Sequence, residues 1–130
     1  MLLVHGLWDQ EDIYGALAVY RALKPHDSHN DKVYLAIGPW YHGQEIDDGS
    51  RLGHLRFPSD TALDFQRDVL LPFLDHYLKD DAPALTVSPV TAYETGTNTW
   101  RHLKTWPSAS GDRLSSSRSR ASVFCSASRR

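Results

Sequence analysis

Asp9 closes the turn Gly6-Leu7-Trp8-Asp9 directly after a short apolar run at residues 2–5. His42 stands in Gly38-Pro39-Trp40-Tyr41-His42, directly after a second apolar run at residues 33–37. An acid and a histidine in such places can form the working part of a nucleophilic site. The imidazole takes the proton of a hydroxyl nucleophile, while the carboxylate fixes its tautomer and stabilises the imidazolium. Asp9 is closely followed by Glu11 and Asp12. Carboxylates this near repel one another, a cost softened by the positive end of a following helix, and together they attract a cation. Plainer roles exist for the same residues. Asp9 with Asp12 suits a helix N-cap and acidic first turn, worth about 1 kcal/mol, and His42 suits an ordinary polar loop. Trp8, Trp40 and Tyr41 flank the pair; they either line a pocket or pack in a core, and the sequence leaves both open.

The elements that must position these residues follow from periodicity. Residues 2–5 read as a buried strand, 6–10 as a turn, and 13–23 as a helix with Ile13, Leu17 and Tyr20 on one stripe, joined by Ala16. Residues 25–31 form a polar loop. The uniformly apolar 33–37 predicts a strand covered on both faces, ended by Gly38 and Pro39. A long loop carries His42 to about residue 58. Residues 61–78 predict an amphipathic helix with Phe65, Val69, Phe73 and Tyr77 in line and Leu70 and Leu74 beside them, kinked at Pro72. Residues 87–93 are β-like, and Gly96-Thr97-Asn98 turns the chain before Trp100. Strand, helix, strand, helix is the order of an α/β protein with a mostly parallel sheet. Ligand sites in such sheets lie at the carboxyl ends of strands, where Asp9 and His42 fall.

With these motifs in place, the sequence resembles the α-amino acid ester hydrolases, which belong with cocaine esterases, glutaryl acylases and X-Pro dipeptidyl peptidases. The resemblance rests on Gly6-Leu7-Trp8-Asp9-Gln10-Glu11-Asp12, on Gly38-Pro39-Trp40 with His42, and on Asp68-Val69 with Pro72-Phe73. It continues through Tyr93-Glu94-Thr95-Gly96 and Trp100 to Trp106-Pro107, so it covers about residues 2–106. It implies a partial α/β-hydrolase fold over residues 1–82, comprising the last strands and helices of the sheet, and the first strands of a β jelly roll over 83–106. It implies Asp9 as triad acid and His42 as triad base. Glu11 and Asp12 match two members of a carboxylate cluster that holds a substrate's α-ammonium group, and Trp8 and Tyr41 are candidates for substrate contact. The implied substrates are small α-amino esters or related amides, β-lactam side chains included, with no cofactor. An X-Pro dipeptidyl peptidase or a general esterase of the same superfamily is the alternative, since peptides too present a free amine.

The triad of this fold runs serine, acid, histidine along the chain. No Gly-x-Ser-x-Gly stretch occurs in the sequence, so the order places the nucleophile before Met1, with the oxyanion hole and cap. The expectation is that this chain alone is not a working hydrolase, and that a bare edge at residues 2–5 makes it unstable or prone to aggregate. A further alternative is a truncated gene product without function.

Composition narrows the remaining classes. The net charge of −2 gives no reason to expect nucleic acid or a membrane as partner. The single cysteine, Cys125, excludes an internal disulfide framework and a cysteine-built metal site. His26, Asp27 and His29 lack a nearby fourth ligand, and Asp47-Asp48-Gly49-Ser50 lacks calcium-loop spacing, so no metal is expected. Residues 107–130 turn abruptly to Ser and Arg with few large apolar residues. They cannot offset their ordering entropy and are expected to be disordered. Arg-Ser tracts can bind RNA or be phosphorylated, but a foreign tail is the preferred reading. The resemblance suggests export, yet Met1 is not followed by a basic and then apolar leader. Compartment and oligomeric state stay open.

Overall fold

The computed structural model describes residues 1–107. The tail expected to be disordered, with Cys125, lies outside the described residues from residue 108 onward.

The alternation of side chains along one strand decides the architecture. Strand β2, Tyr34–Gly38, is buried along its whole length. Leu35 and Ile37 face one cluster, with Tyr20, Val33, Val90 and Ala92. Ala36 faces the other, with Trp40, Phe65 and Val69. Because successive side chains point to opposite faces, such a strand must be covered on both, as the sequence predicts. Strand β1, Leu2–Gly6, runs parallel to β2 with Leu2 opposite Tyr34 and Gly6 opposite Gly38. Helix α1, Gly15–Leu23, connects them and covers the first face through Leu17, Tyr20 and Leu23. Ile13, expected on that stripe, lies before the helix and is exposed. The turn that carries Asp9 and Asp12 delays helix formation past it.

The chain from β2 to the third sheet strand is more structured than expected. It contains a short hairpin, β3 Arg51–Leu52 and β4 Leu55–Arg56. The expected kinked helix is α2 Thr61–Phe65, a π-helical turn Gln66–Leu70, and α3 Leu71–Leu78. Pro72 lies in the first turn of α3. The Leu71 N–H reaches the Gln66 carbonyl, and this wider turn relieves the clash and missing donor that proline brings to an α-helix. Phe65, Val69 and Phe73 are buried as expected, whereas Tyr77 is half exposed at the helix end.

Strand β5, Val90–Glu94, pairs parallel with β2, and β6, Thr99–Leu103, pairs antiparallel with β5. The sheet order is β1-β2-β5-β6. Strands expected to open a separate β domain therefore extend the same mostly parallel sheet, and Trp100 of β6 packs against Trp40 with ring centroids 5.9 Å apart. β1 is an edge of this sheet, which leaves Leu2, Leu3 and Val4 only half-buried. Among the described residues no helix is long and apolar enough to cross a membrane.

Candidate active site

Two loops leave the carboxyl ends of β1 and β2 side by side and remain joined by backbone hydrogen bonds. Leu7 N–H donates to the Gly38 carbonyl and Trp8 N–H to the Trp40 carbonyl, each at 2.9 Å. The approach requires glycine: a Cβ on Gly6 would sit 2.6 Å from the Trp40 oxygen. The fold thus brings Asp9 and His42 to one corner. Asp9 Oδ2 lies 3.1 Å from His42 Nδ1, while Asp9 Oδ1 accepts the N–H groups of Glu11 at 2.8 Å and Asp12 at 2.9 Å. The two oxygens of Asp9 are used separately: one accepts the N–H groups of its own turn and the other contacts the imidazole. The side chain of Asp9 is 12% exposed and that of His42 is 52% exposed.

Other bonds hold His42 in place. Gly43, at φ +81°, turns the chain in the left-handed region that favours glycine. The buried Gln44 then ties the loop together. Its Oε1 accepts the Tyr41 N–H at 3.2 Å, and its Nε2 donates to the carbonyls of Asp48 at 2.8 Å and Arg51 at 2.7 Å. Nothing in the sequence marks Gln44 for this task, since a glutamine in a polar loop is normally solvated.

The charges act in one direction. His42 is held above its ordinary pKa, first by the hydrogen bond to Asp9 and then by the charge of Glu11. Glu11 Oε2 stands 3.7 Å from His42 Nε2, an ion-pair contact longer than a hydrogen bond. Asp9 is held below the usual carboxylate range, chiefly by the Asp12 N–H, with the Glu11 N–H and His42 adding to it against partial burial. Asp12 itself turns toward α1, where its Oδ1 accepts the Gly15 N–H at 2.6 Å. Of the expected acidic group, Asp9 and Glu11 meet at His42, and Asp12 serves the helix start.

The three aromatics divide. Trp40 is fully buried, donates from Nε1 to Thr61 Oγ1 at 2.9 Å, and packs on Phe65. It is core, because the strand that leads to it is covered on both faces. Trp8 and Tyr41 are exposed and line an open groove of about 320 Å³ with Leu52, Gly53 and Leu55. A second groove of about 420 Å³ shares Tyr41 and Gly53 and is edged by Gln44, Asp47, Asp48 and Arg51. The hairpin residues were missed from sequence, although Leu52-Gly53-His54-Leu55, two apolar residues around a two-residue turn containing glycine, is a hairpin signal. Among the described residues no serine side chain is hydrogen-bonded to His42, whose partners are Asp9 and Glu11. His26 and His29 join no metal-binding group there; Asp27 is bound by Lys24 and backbone N–H groups instead.

A mostly parallel sheet with helices on both faces, and an acid and a histidine on adjacent loops at its carboxyl rim, is the arrangement of an α/β-hydrolase. The comparisons agree with that class. The family model of the X-Pro dipeptidyl peptidases (S15 family) matches residues 1–44, which include both Asp9 and His42. A solved α-amino acid ester hydrolase, labelled with selenomethionine, is 51% identical with a TM-score of 0.80, over 82% of this chain and 17% of that one. An aminopeptidase from the marine sediment archaeon Thaumarchaeota archaeon is 50% identical with a TM-score of 0.79, over 83% of this chain and 18% of that one. No curated protein matches. The matches fall in the X-Pro dipeptidyl-peptidase and α-amino acid ester hydrolase superfamily that the motifs resemble, and the chain spans less than a fifth of the solved structures' length.

Proposed function

We propose that this chain carries the acid and the base of a serine hydrolase acting on α-amino acid esters or related amides, with Asp9 as triad acid and His42 as triad base. One observation carries the reading: Asp9 Oδ2 lies 3.1 Å from His42 Nδ1, across the carboxyl ends of two adjacent parallel strands. With Nδ1–H held by Asp9, the lone pair of Nε2 is available to a hydroxyl. Nε2 takes the serine proton as the serine oxygen bonds to the carbonyl carbon, then returns it to the leaving group as the acyl-enzyme forms. Water repeats the sequence to release the acid. The serine and the oxyanion donors belong to a segment outside the described residues. Glu11 and Asp12 attract the substrate's ammonium group, and the groove of Trp8, Tyr41, Leu52 and Leu55 accepts its apolar side chain.

The family-model match favours a second reading, an X-Pro dipeptidyl peptidase, which also binds a free amine. Hydrolysis of a phenylglycine ester against an X-Pro anilide by an enzyme that includes the serine segment separates the two.

The primary test is an assay of the purified chain with a p-nitrophenyl ester and phenylglycine methyl ester, with His42→Ala as control. The expected result is no turnover above buffer, because the nucleophile lies elsewhere. Turnover that His42→Ala abolishes would mean that a residue of this chain, such as Ser50, is the nucleophile. Supplying the serine segment is expected to restore hydrolysis, with His42→Ala then costing roughly 10⁴-fold or more in kcat. An unchanged kcat in that variant would sink the triad assignment.

A further inference from the structure

The two carboxylates at His42 are held very differently. Asp9 is fixed: two backbone N–H groups bind one oxygen, and its side chain is mostly buried. Glu11 is loose: its side chain is 65% exposed, its carboxylate makes no hydrogen bond among the described residues, and its contact is His42 Nε2 at 3.7 Å. Nε2 is the atom that must be unprotonated to act as base. A carboxylate facing it stabilises the imidazolium, so in the unliganded site Glu11 works against the reaction that Asp9 supports.

We propose that Glu11 is a substrate-responsive clamp, which holds the proton on His42 Nε2 until a substrate ammonium group draws the carboxylate away. The inference rests on the α-amino substrate class proposed above. When His42 is protonated, its Nδ1–H faces Asp9 at 3.1 Å and its Nε2–H faces Glu11 at 3.7 Å. An arriving ammonium pairs with Glu11, cancelling its charge and placing a positive charge nearby. Both changes favour neutral imidazole. The proton leaves Nε2 for solvent water, no bond of the substrate is made or broken, and the base is armed only when an amine-bearing substrate is bound. The exposure that weakens the Glu11 contact in salt is also what lets Glu11 exchange partners. Glu45 is the other acid whose charge reaches His42, more weakly than Glu11 or Asp9. On the far side, Asp9 and Asp12 also face the buried His5 of β1, which burial keeps toward its neutral form.

The test is an NMR titration of the His42 ring in the full chain, in wild type, Glu11→Gln and Glu45→Gln. The probe is 2-phenylglycinol, which has the amine and the ring but no ester, and 2-phenylethanol is the control. Glu11 is exposed and its backbone N–H is retained in glutamine, so the variant keeps the Asp9 turn. The titration midpoint of His42 is expected to fall in Glu11→Gln and to fall less in Glu45→Gln. In wild type, 2-phenylglycinol lowers it and 2-phenylethanol does not, and in Glu11→Gln the amine adds nothing. Equal midpoints for wild type and Glu11→Gln overturn the clamp. If 2-phenylglycinol shifts the Glu11 and Trp8 resonances but leaves the His42 midpoint in place, release by substrate is overturned while the substrate class stands. If the amine binds nowhere near Glu11, the substrate class fails and release with it, while the Glu11→Gln comparison still decides the hold on the proton.

Discussion

Asp9 and Asp27 are both turn aspartates whose carboxylates gather backbone N–H groups, and they end in opposite roles. Asp27 precedes β2 at the amino rim of the sheet. It accepts from Lys24 Nζ at 2.8 Å, from the Val33 N–H at 3.0 Å and from the Asp31 N–H at 3.1 Å, with the Lys32 N–H shared between its oxygens. Its side chain is 2% exposed, and Lys24 first, with these N–H groups, holds its carboxyl well below the usual carboxylate range. All of its bonding capacity is used inside the fold. Asp9 follows β1 at the carboxyl rim, spends one oxygen on its own turn, and offers the other to an exposed histidine. A carboxylate becomes available for chemistry when the fold leaves part of it unspent, and the parallel sheet leaves that part at the rim where loops diverge.

The sharpest way to break this comparison is to remove each carboxylate. Asp27→Ala strands Lys24 and the N–H groups of Asp31, Lys32 and Val33, and is expected to lower the melting temperature by roughly 10–20 °C. Asp9→Ala should lower it by only a few degrees. Thermal melts followed by circular dichroism decide, and equal losses would erase the distinction between a carboxylate spent inside the fold and one left partly unspent at the rim. The next effect is on His42 itself: Asp9→Asn should bring its NMR titration midpoint down toward the ordinary histidine value, whereas Asp27→Asn should leave it in place.

A smaller effect is the pH dependence of stability. The pKa of His42 is raised on folding, so its contribution is complete below the unfolded value of 6.5 and is lost as pH rises through the higher folded value. That of Asp9 is depressed, so its contribution is complete above 3.8 and is lost as pH falls through the lower folded value. The pair therefore stabilises most between those limits, weakly because His42 is exposed. Urea unfolding across that range should show a shallow maximum that Asp9→Asn flattens. Smallest of all, Trp8→Ala should change folding stability by less than about 0.5 kcal/mol while weakening 2-phenylglycinol binding. A larger loss of stability would place Trp8 in the core beside Trp40.

Much of the fold was legible because its signals are local. The apolar runs gave β1 and β2, Phe65, Val69 and Phe73 gave the buried helix face, and Pro72 marked the change of helix geometry. Ile13 had the right spacing but fell in the turn that Asp9 and Asp12 organise through hydrogen bonds. The hairpin at Arg51–Leu52 and Leu55–Arg56 was hidden because its strands are only two residues long. Gln44 and Asp27 were illegible for another reason: a polar residue in a loop has the same sequence appearance whether it meets water or buried backbone.

The sequence by itself determined the α/β order, the placement of Asp9 and His42 after successive parallel strands, and the superfamily that both comparisons match. Those properties depend on residue type and spacing along the chain. Tertiary structure alone decided that Asp9 reaches His42 while Asp27 is consumed by Lys24, that Trp40 is core while Trp8 and Tyr41 line a groove, and that Glu11 faces Nε2. Each of these depends on which groups distant segments bring within a few ångströms, and on how much water they leave there.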